Sequence, residues 1–254
     1  MKICILASGS KGNCTYVETK RNKILIDAGV SSSCIEKNLQ AIGVNPNEID
    51  SIFITHTHID HISGLRVFLK KYNPKVYLTE KMHQEINKDF KDLEYEYIEK
   101  EILINEMIVK VIKTSHDTND SNGYIFESNN KTIVYITDTG YINAKNHGYL
   151  KNKNLYVLES NHDVELLMNG GRPYHLKQRI LGDKGHLSNK DSAYYLSKFI
   201  GEETKCIVLA HLSQDNNTPE LAQLSLVNAL NSCQKSVEKI VIAEQNKRTE
   251  LIEV

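Results

Sequence analysis

The sequence predicts an α/β chain of the α+β kind, two β-sheets packed face to face with helices outside, forming one domain over residues 1–254. Short apolar runs that read as strands recur in both halves, and capped helical stretches are interspersed with them. No low-complexity linker divides the halves, and 254 residues can bury a substantial core.

The elements follow in order. Residues 2–7, 14–19 and 23–27 read as strands, the last two joined by the polar turn Lys20-Arg21-Asn22. Ser32 or Ser33 caps a helix to residue 42, and Gly43 stops it. Residues 51–55 form a buried strand, and Leu65, Phe68 and Leu69 after Gly64 have helical spacing. A short strand at 76–78 precedes a charged helix capped by Thr79 and running to Phe90, where His83 among Lys and Glu is expected at the surface. Residues 107–113 form a strand, and 124–128 with 131–137 make a hairpin about Asn129-Asn130. In the second half, a strand at 155–158 and a loop at 182–188 lead to the capping sequence Ser188-Asn189-Lys190-Asp191 and a helix to Ile200. A strand at 206–210 follows, then a helix from Thr218-Pro219-Glu220 to Leu230 with proline at its first position, then strands at 239–243 and 249–253.

Composition removes several classes of function. Lys and Arg number 31 against 32 Asp and Glu, a net charge of -1, so nucleic-acid binding must come from a local patch and not from a global field. The five cysteines are odd in number, widely spaced and without a C-x-x-C pair, which argues for reduced thiols in the cytoplasm. The apolar start Met1 to Leu6 stops at Ala7 before Ser8-Gly9-Ser10-Lys11, too short for a signal peptide, and no run approaches the roughly 18 apolar residues that span a bilayer. A membrane partner is therefore not expected.

The centre of the chain is Thr55-His56-Thr57-His58-Ile59-Asp60-His61, three imidazoles and a carboxylate directly after an apolar strand. Neutral imidazole and ionised carboxylate suit first-row divalent metals, and no cysteine competes. On a strand-to-helix turn His56 and His58 point one way, Asp60 and His61 another, which suggests two metals. Asp27 ends an apolar strand before Ala28-Gly29. It is either a turn-forming aspartate or a buried carboxylate that orients a metal-bound histidine. His116 and Asp138 stand at strand ends, the first a candidate ligand and the second a candidate bridge between cations. The loop Ser8-Gly9-Ser10-Lys11-Gly12-Asn13 is not a P-loop, because it leads into a strand; it is a turn or a loop whose Ser8 and Asn13 reach the substrate.

The motif H-x-H-x-D-H on a strand-to-helix loop resembles that of the metallo-β-lactamase superfamily, which implies an αββα sandwich. By that resemblance His56, His58 and His116 hold one metal, Asp60, His61 and His211 the other, Asp138 bridges and Asp27 supports. A pair of cations about 3.5–4 Å apart generates hydroxide, here the expected nucleophile, and clamps the attacking and leaving oxygens. Glu159 with Gly185-His186-Leu187-Ser188 and Ala210-His211-Leu212-Ser213 looks like the nuclease branch, in which His186 protonates the leaving oxygen, Glu159 orients it and Asp60 is indispensable. Together with Thr137-Asp138-Thr139-Gly140, Glu159-Ser160-Asn161-His162-Asp163 and His211-Leu212-Ser213-Gln214-Asp215-Asn216-Asn217, these blocks resemble the bacterial YycJ/WalJ family. That likeness implies 5′ to 3′ exonuclease activity on double-stranded DNA with two divalent ions of zinc, manganese or iron. The intervals between motifs leave no room for a tRNA-clamping arm or a cap domain.

Arg172, Lys177, Arg179, Lys184 and Lys190 crowd the approach to His186 and, with Asn161 and His162, are the candidates for holding a strand by its phosphates. A small-molecule phosphodiesterase and a metal-bound regulatory protein without turnover are the competing classes.

Overall fold

The computed structural model describes residues 1–86 and 94–254. Its first sheet is built from β1 (Lys2–Ala7), β2 (Cys14–Glu18), β3 (Lys23–Ile26), β4 (Ser51–Phe53), β5 (Lys75–Leu78) and β6 (Tyr95–Tyr97). The second contains β7 (Glu101–Ile104), β8 (Met107–Lys113), β9 (Asn122–Ser128), β10 (Lys131–Ile136), β11 (Leu155–Glu159), β12 (Cys206–Ala210) and β13 (Lys239–Ile242). β14 (Ile252–Glu253) then returns to pair antiparallel with β1, so the spatial orders are β14-β1-β2-β3-β4-β5-β6 and β13-β12-β11-β10-β9-β8-β7. Each sheet is antiparallel at one end and parallel at the other: β3 to β6 run together, and so do β10 to β13.

Alternation along the strands makes three apolar layers. Ile3, Ile5, Ile24, Ile26 and Phe53 face the second sheet and meet Val109, Phe126, Ile133, Val157 and Val208. Their neighbours Cys4, Leu6, Leu25 and Ile52 face outward, under α1 (Ser32–Gln40), α3 (Leu65–Tyr72) and α4 (Glu80–Ile86). Because both faces are covered, the strands read as nearly unbroken apolar runs. The outer face of the second sheet is covered by α5 (His147–Leu150), α8 (Asn189–Phe199) and α9 (Pro219–Ser232). Short helices α2 (Ile59–Ile62), α6 (Val164–Asn169) and α7 (Tyr174–Leu181) lie in the connections that border the site. This is the four-layer αββα architecture expected from the sequence.

Between the sheets, Phe53 stacks on Tyr77 at 4.6 Å between ring centroids and meets Tyr124 edge-on at 5.5 Å. Tyr124 donates its hydroxyl to Ile54 O at 2.5 Å, and Asn122 N–H donates to Thr55 O at 2.9 Å, so the second sheet pins the strand that delivers His56.

Several sequence expectations need correction. The first helix is capped by Ser31, not Ser32 or Ser33, since Ser31 Oγ accepts the Cys34 N–H at 3.3 Å. β6, β7, α6 and α7 were not anticipated: they are short, and their burial is set by tertiary neighbours. The helix capped by Thr79 is described only to Ile86, and its expected continuation to Phe90 lies outside the described residues. His83 is not a surface residue, being 9% exposed with Nδ1 2.8 Å from the Tyr97 hydroxyl and its ring on Tyr95. The last strand shrinks to two residues because Thr249 uses its side chain, Oγ1 accepting the Ile5 N–H at 3.0 Å. The hairpin turn is confirmed by positive φ at Asn129 (50°) and Asn130 (60°), as a tight two-residue connection requires.

Gly29 is where the first sheet meets the metal motif. A Cβ there would lie 1.7 Å from Asp60 O and 2.8 Å from Asn13 N. Gly29→Ala is expected to lower unfolding free energy by about 1–3 kcal/mol, read in urea denaturation, because the backbone of the motif must retreat.

Candidate metal centre

The carboxyl ends of the parallel strands open on one edge, where ligands gather in α/β folds. Asp27 follows β3, His56 follows β4, Asp138 follows β10, Glu159 closes β11 and His211 follows β12. His116 arrives after antiparallel β8. Asp27, Asp138 and His211 each take a left-handed backbone, with φ of 60°, 53° and 55°. Such a residue costs of order 1–3 kcal/mol and persists where surroundings over-determine it. Here it ends each ladder and turns the side chain out of the sheet's alternation toward the centre. This is why β3 and β10 stop one residue earlier than predicted.

The histidines are aimed by their second nitrogens. His61 Nδ1 is 2.7 Å from Asp27 Oδ2, leaving Nε2 toward Asp138 Oδ2 at 3.3 Å and Asp60 Oδ2 at 3.6 Å. His116 Nδ1 donates to Gly185 O at 3.2 Å, leaving Nε2 inward. His56 Nδ1 meets Thr55 Oγ1 at 3.1 Å, and His211 Nδ1 meets Glu159 Oε1 at 2.9 Å. The Nε2 atoms of His56 and His211 and Oδ2 of Asp138 are buried and lack a hydrogen-bond partner. Orphaned buried groups need an explanation, and a cation supplies one.

The donor sets have the right size. Single ligand atoms from His56, His58 and His116 lie within 4.8 Å of one another, as do those of Asp60, His61 and His211, and those of His56, His61 and Asp138. Charge points the same way. Burial penalises the carboxylates of Asp60, Asp138 and Glu159, yet the surrounding imidazoles hold all three below the usual carboxylate range, Glu159 at about 2. Burial also works against protonation of His61, but Asp27 and Asp138 outweigh it and raise its pKa to about 10. His56, desolvated and beside His61, is driven well below the ordinary histidine value and stays neutral, as a ligand must. A centre that draws protons onto its histidines carries surplus negative charge, which divalent cations would balance.

Asp27 is fully buried and accepts Thr55 N–H and Thr55 Oγ–H, each at 2.8 Å, besides facing His61. Burial pushes its pKa up, and His61 and these donors work against that rise. Glu159 likewise faces His186 Nδ1 at 2.7 Å as well as His211, and accepts Thr139 N–H at 3.0 Å. His186 lies with His116 and Asp117 on the wall of a cleft beside the candidate ligands.

The remaining expected site residues divide. Asn161, Arg172 and Arg179 line this cleft, although Arg172 pairs with Asp215 at 2.7 Å and Arg179 Nε with Asp117 Oδ2 at 2.6 Å. Ser8, Asn13, His162 and Lys177 are not among its lining residues. Ser8 Oγ accepts the His211 N–H at 2.7 Å, so it holds the loop of that candidate ligand. Asn13 is buried, with Oδ1 accepting the Gly9 N–H at 2.8 Å and Nδ2 3.0 Å from His61 Nε2. Lys177 turns inward and caps Met168 O at 2.7 Å, which spends its charge inside the fold. His162 is buried, its pKa lowered to about 4 by burial, and its main chain bridges to Ser188.

Sequence reasoning missed Asp117, whose buried Oδ1 has no hydrogen-bond partner and stands 3.4 Å from His116 Nε2 and 3.7 Å from His58 Nε2. Its signal was an acid directly after a strand-end histidine. Ser10 of the glycine loop, and Ser213 and Asn216 after His211, also line the cleft.

Residues 7–160 match the model of the metallo-beta-lactamase superfamily. The sequence is 40% identical over 236 residues to the exodeoxyribonuclease WalJ of Streptococcus pneumoniae serotype 2, covering 90% of this chain and 88% of that protein. The chain belongs to the WalJ/YycJ family of the metallo-beta-lactamase superfamily. Within the family it is also 41% identical over 231 residues to the exodeoxyribonuclease YycJ of Bacillus anthracis, 89% of this chain and 88% of the relative. Solved structures of low identity share the fold: the metallo-beta-lactamase fold protein YhfI from Bacillus subtilis (TM-score 0.73, 14% identity, 98% of each chain) and the short form of human tRNase Z (TM-score 0.69, 15% identity, 100% of each). This family member is a metal-dependent hydrolase.

Asp27→Asn, which keeps the shape but loses the charge facing His61, is expected to weaken divalent-metal affinity by about 10- to 100-fold in competition with a chelator.

Proposed function

We propose that this chain is a single-domain, two-metal phosphodiester hydrolase that degrades double-stranded DNA from a 5′ end in the cytoplasm. The observation that carries the chemistry is the convergence of the histidine and carboxylate sets around Asp138, with His186 and Glu159 at its rim. The choice of substrate rests on the 40% identity, over nine tenths of the chain, to a protein named an exodeoxyribonuclease. The five cysteines are all free, which agrees with a reducing compartment, and among the described residues no helix is long and apolar enough to cross a membrane.

His56, His58 and His116 would hold one divalent ion and Asp60, His61 and His211 the second, with Asp138 shared; imidazole and carboxylate donors of this kind accept zinc, manganese or iron. Two such ions, when bound, supply Lewis acidity for activating water and for offsetting charge that gathers on the phosphoryl oxygens. The protein does the rest. Asp27 and Glu159 fix the tautomers of His61 and His211, so that neither ring rotates as charge develops. Glu159 also aims His186, leaving Nε2 to hold a proton for the departing 3′ oxygen of the cleaved bond. A cleft with Arg172, Arg179 and Lys184 on its wall draws the polyanionic backbone in without reading its bases.

Asp60→Ala is expected to lose measurable hydrolysis of duplex DNA while its circular dichroism matches the parent. Full activity in that variant would refute the assignment. His186→Ala should retain metal content and lose about 10²–10⁴-fold in kcat, the usual worth of a positioned proton donor. Duplexes labelled at the 5′ or 3′ terminus decide polarity: early release of a labelled mononucleotide from the 5′-labelled strand alone supports the reading, and release from the 3′ label opposes it. A chelator should abolish turnover, and a panel of divalent salts should restore it selectively.

A further inference from the structure

The donors assigned to the first ion are three imidazoles and a share of Asp138, and one further oxygen faces them. Asp117 follows His116 in the connection after β8, and its Oδ1 is buried without a hydrogen-bond partner. That oxygen stands 3.4 Å from His116 Nε2 and 3.7 Å from His58 Nε2. The rings of His56, His58 and His116 pack around the same point, with centroids 4.7 Å apart for the first two and 5.0 Å from each of these to the third.

Hydrogen bonding does not account for this approach. As a neutral imidazole, the form that ligates, His116 carries its proton on Nδ1 and donates it to Gly185 O at 3.2 Å, so its Nε2 presents a lone pair. Asp117 Oδ1 also presents lone pairs. Two acceptors therefore face each other at 3.4 Å with no hydrogen between them. His56, from the same triad, adds another buried nitrogen without a partner. Electron-pair donors gathered in this way repel one another unless a cation lies among them. The spacing agrees, because donors about 2.1 Å from a common ion lie roughly 3.0–3.5 Å from one another.

The other half of the Asp117 carboxylate is already engaged. Oδ2 accepts the Arg179 Nε–H at 2.6 Å, which leaves Oδ1 toward the histidines. Ligating carboxylates are commonly fixed from outside by such hydrogen bonds. The loop is fixed as well. Glu85 of α4 accepts from Thr57 Oγ1, between His56 and His58, with one oxygen and from Asn119 Nδ2 with the other, fastening the loop of Asp117 to the metal motif. On the far side, Ser115 N–H donates to Thr139 Oγ1 at 3.0 Å, next to Asp138.

We propose that Asp117, through Oδ1, is a fifth protein donor to the ion held by His56, His58, His116 and Asp138, and that it biases this site toward a six-coordinate ion such as manganese. This rests on the two-metal reading above. Three imidazoles and one carboxylate already satisfy zinc, which is content with four ligands. A second carboxylate instead leaves one position of an octahedron for solvent or substrate, and octahedral, oxygen-containing donor sets suit manganese. Arg179 is then a positioning residue that acts through Asp117.

The test loads wild-type protein and Asp117→Ala with cobalt(II), whose visible absorption is weak in six-coordinate sites and intense in four-coordinate ones, and counts bound metal by elemental analysis. Wild type is expected to hold two ions per chain. In Asp117→Ala the visible bands should strengthen, and one of the two ions should bind about tenfold or more weaker in competition with a chelator. The loss should be larger for manganese than for zinc. Asp117→Asn keeps the shape of the side chain and carries the same expectations should the alanine variant fail to fold. Arg179→Ala should move the same readouts in the same direction by a smaller amount. Two cobalt ions held with wild-type affinity and an unchanged spectrum in folded Asp117→Ala or Asp117→Asn overturn the proposal and leave the two-metal reading standing. Wild type that takes up fewer than two ions at saturating cobalt defeats that reading and this proposal with it.

Discussion

The site depends first on the Asp27 carboxylate. It is fully buried, has left the strand that carries it, and takes hydrogen bonds from the start of the metal motif at Thr55 while facing His61 at its end. Those contacts close residues 55–61 on themselves, so that four candidate ligands near one another in sequence surround one volume instead of splaying from a loop. Desolvation makes a lone carboxylate there costly, and the same low dielectric strengthens each hydrogen bond that it accepts. Glu159 repeats the device on the other sheet, facing both His186 and His211. The two sheets thus meet at the centre as opposed carboxylates, each orienting imidazoles toward Asp138.

Such an arrangement is expensive in stability. Three buried carboxylates and five inward histidines surround unsatisfied atoms, and three of these residues sit in left-handed backbone. The surrounding layers carry that cost. Phe53, Tyr77, Tyr124 and Phe126 pack the space between the sheets below the motif, and the Tyr124 hydroxyl fastens the strand from the opposite side. Bound cations would return part of the strain energy by satisfying the inward atoms, so metal affinity and folding stability are coupled.

Charge is distributed locally and not globally. A chain of net charge -1 places Arg172, Arg179 and Lys184 on one wall of the cleft beside the candidate metal centre and spends Lys177 inside the fold. Arg172 and Arg179 are partly neutralised by Asp215 and Asp117, which orient the guanidiniums and temper a field that would otherwise bind any polyanion. Asp117 joins the two functions, touching Arg179 on one side and the His58 and His116 rings on the other.

By itself the sequence determined the sandwich, the strand-end placement of His116, Asp138, Glu159 and His211, and the local cluster His56 to His61. These follow from short-range rules: alternation and capping dictate elements, and residues at most five apart at one turn cannot be far from each other. What tertiary structure alone decided was direction. Whether Lys177 faces a strand of DNA or Met168 O, whether Ser8 meets a substrate or the His211 N–H, and whether His83 is wet or packed on Tyr95 depend on residues tens or hundreds of positions away. The same holds for Ser213 and Asn216, which tertiary packing brings to one cleft wall with Ser10 of the glycine loop. A local pattern names candidate chemistry, but the partner that claims each donor and acceptor is chosen by packing.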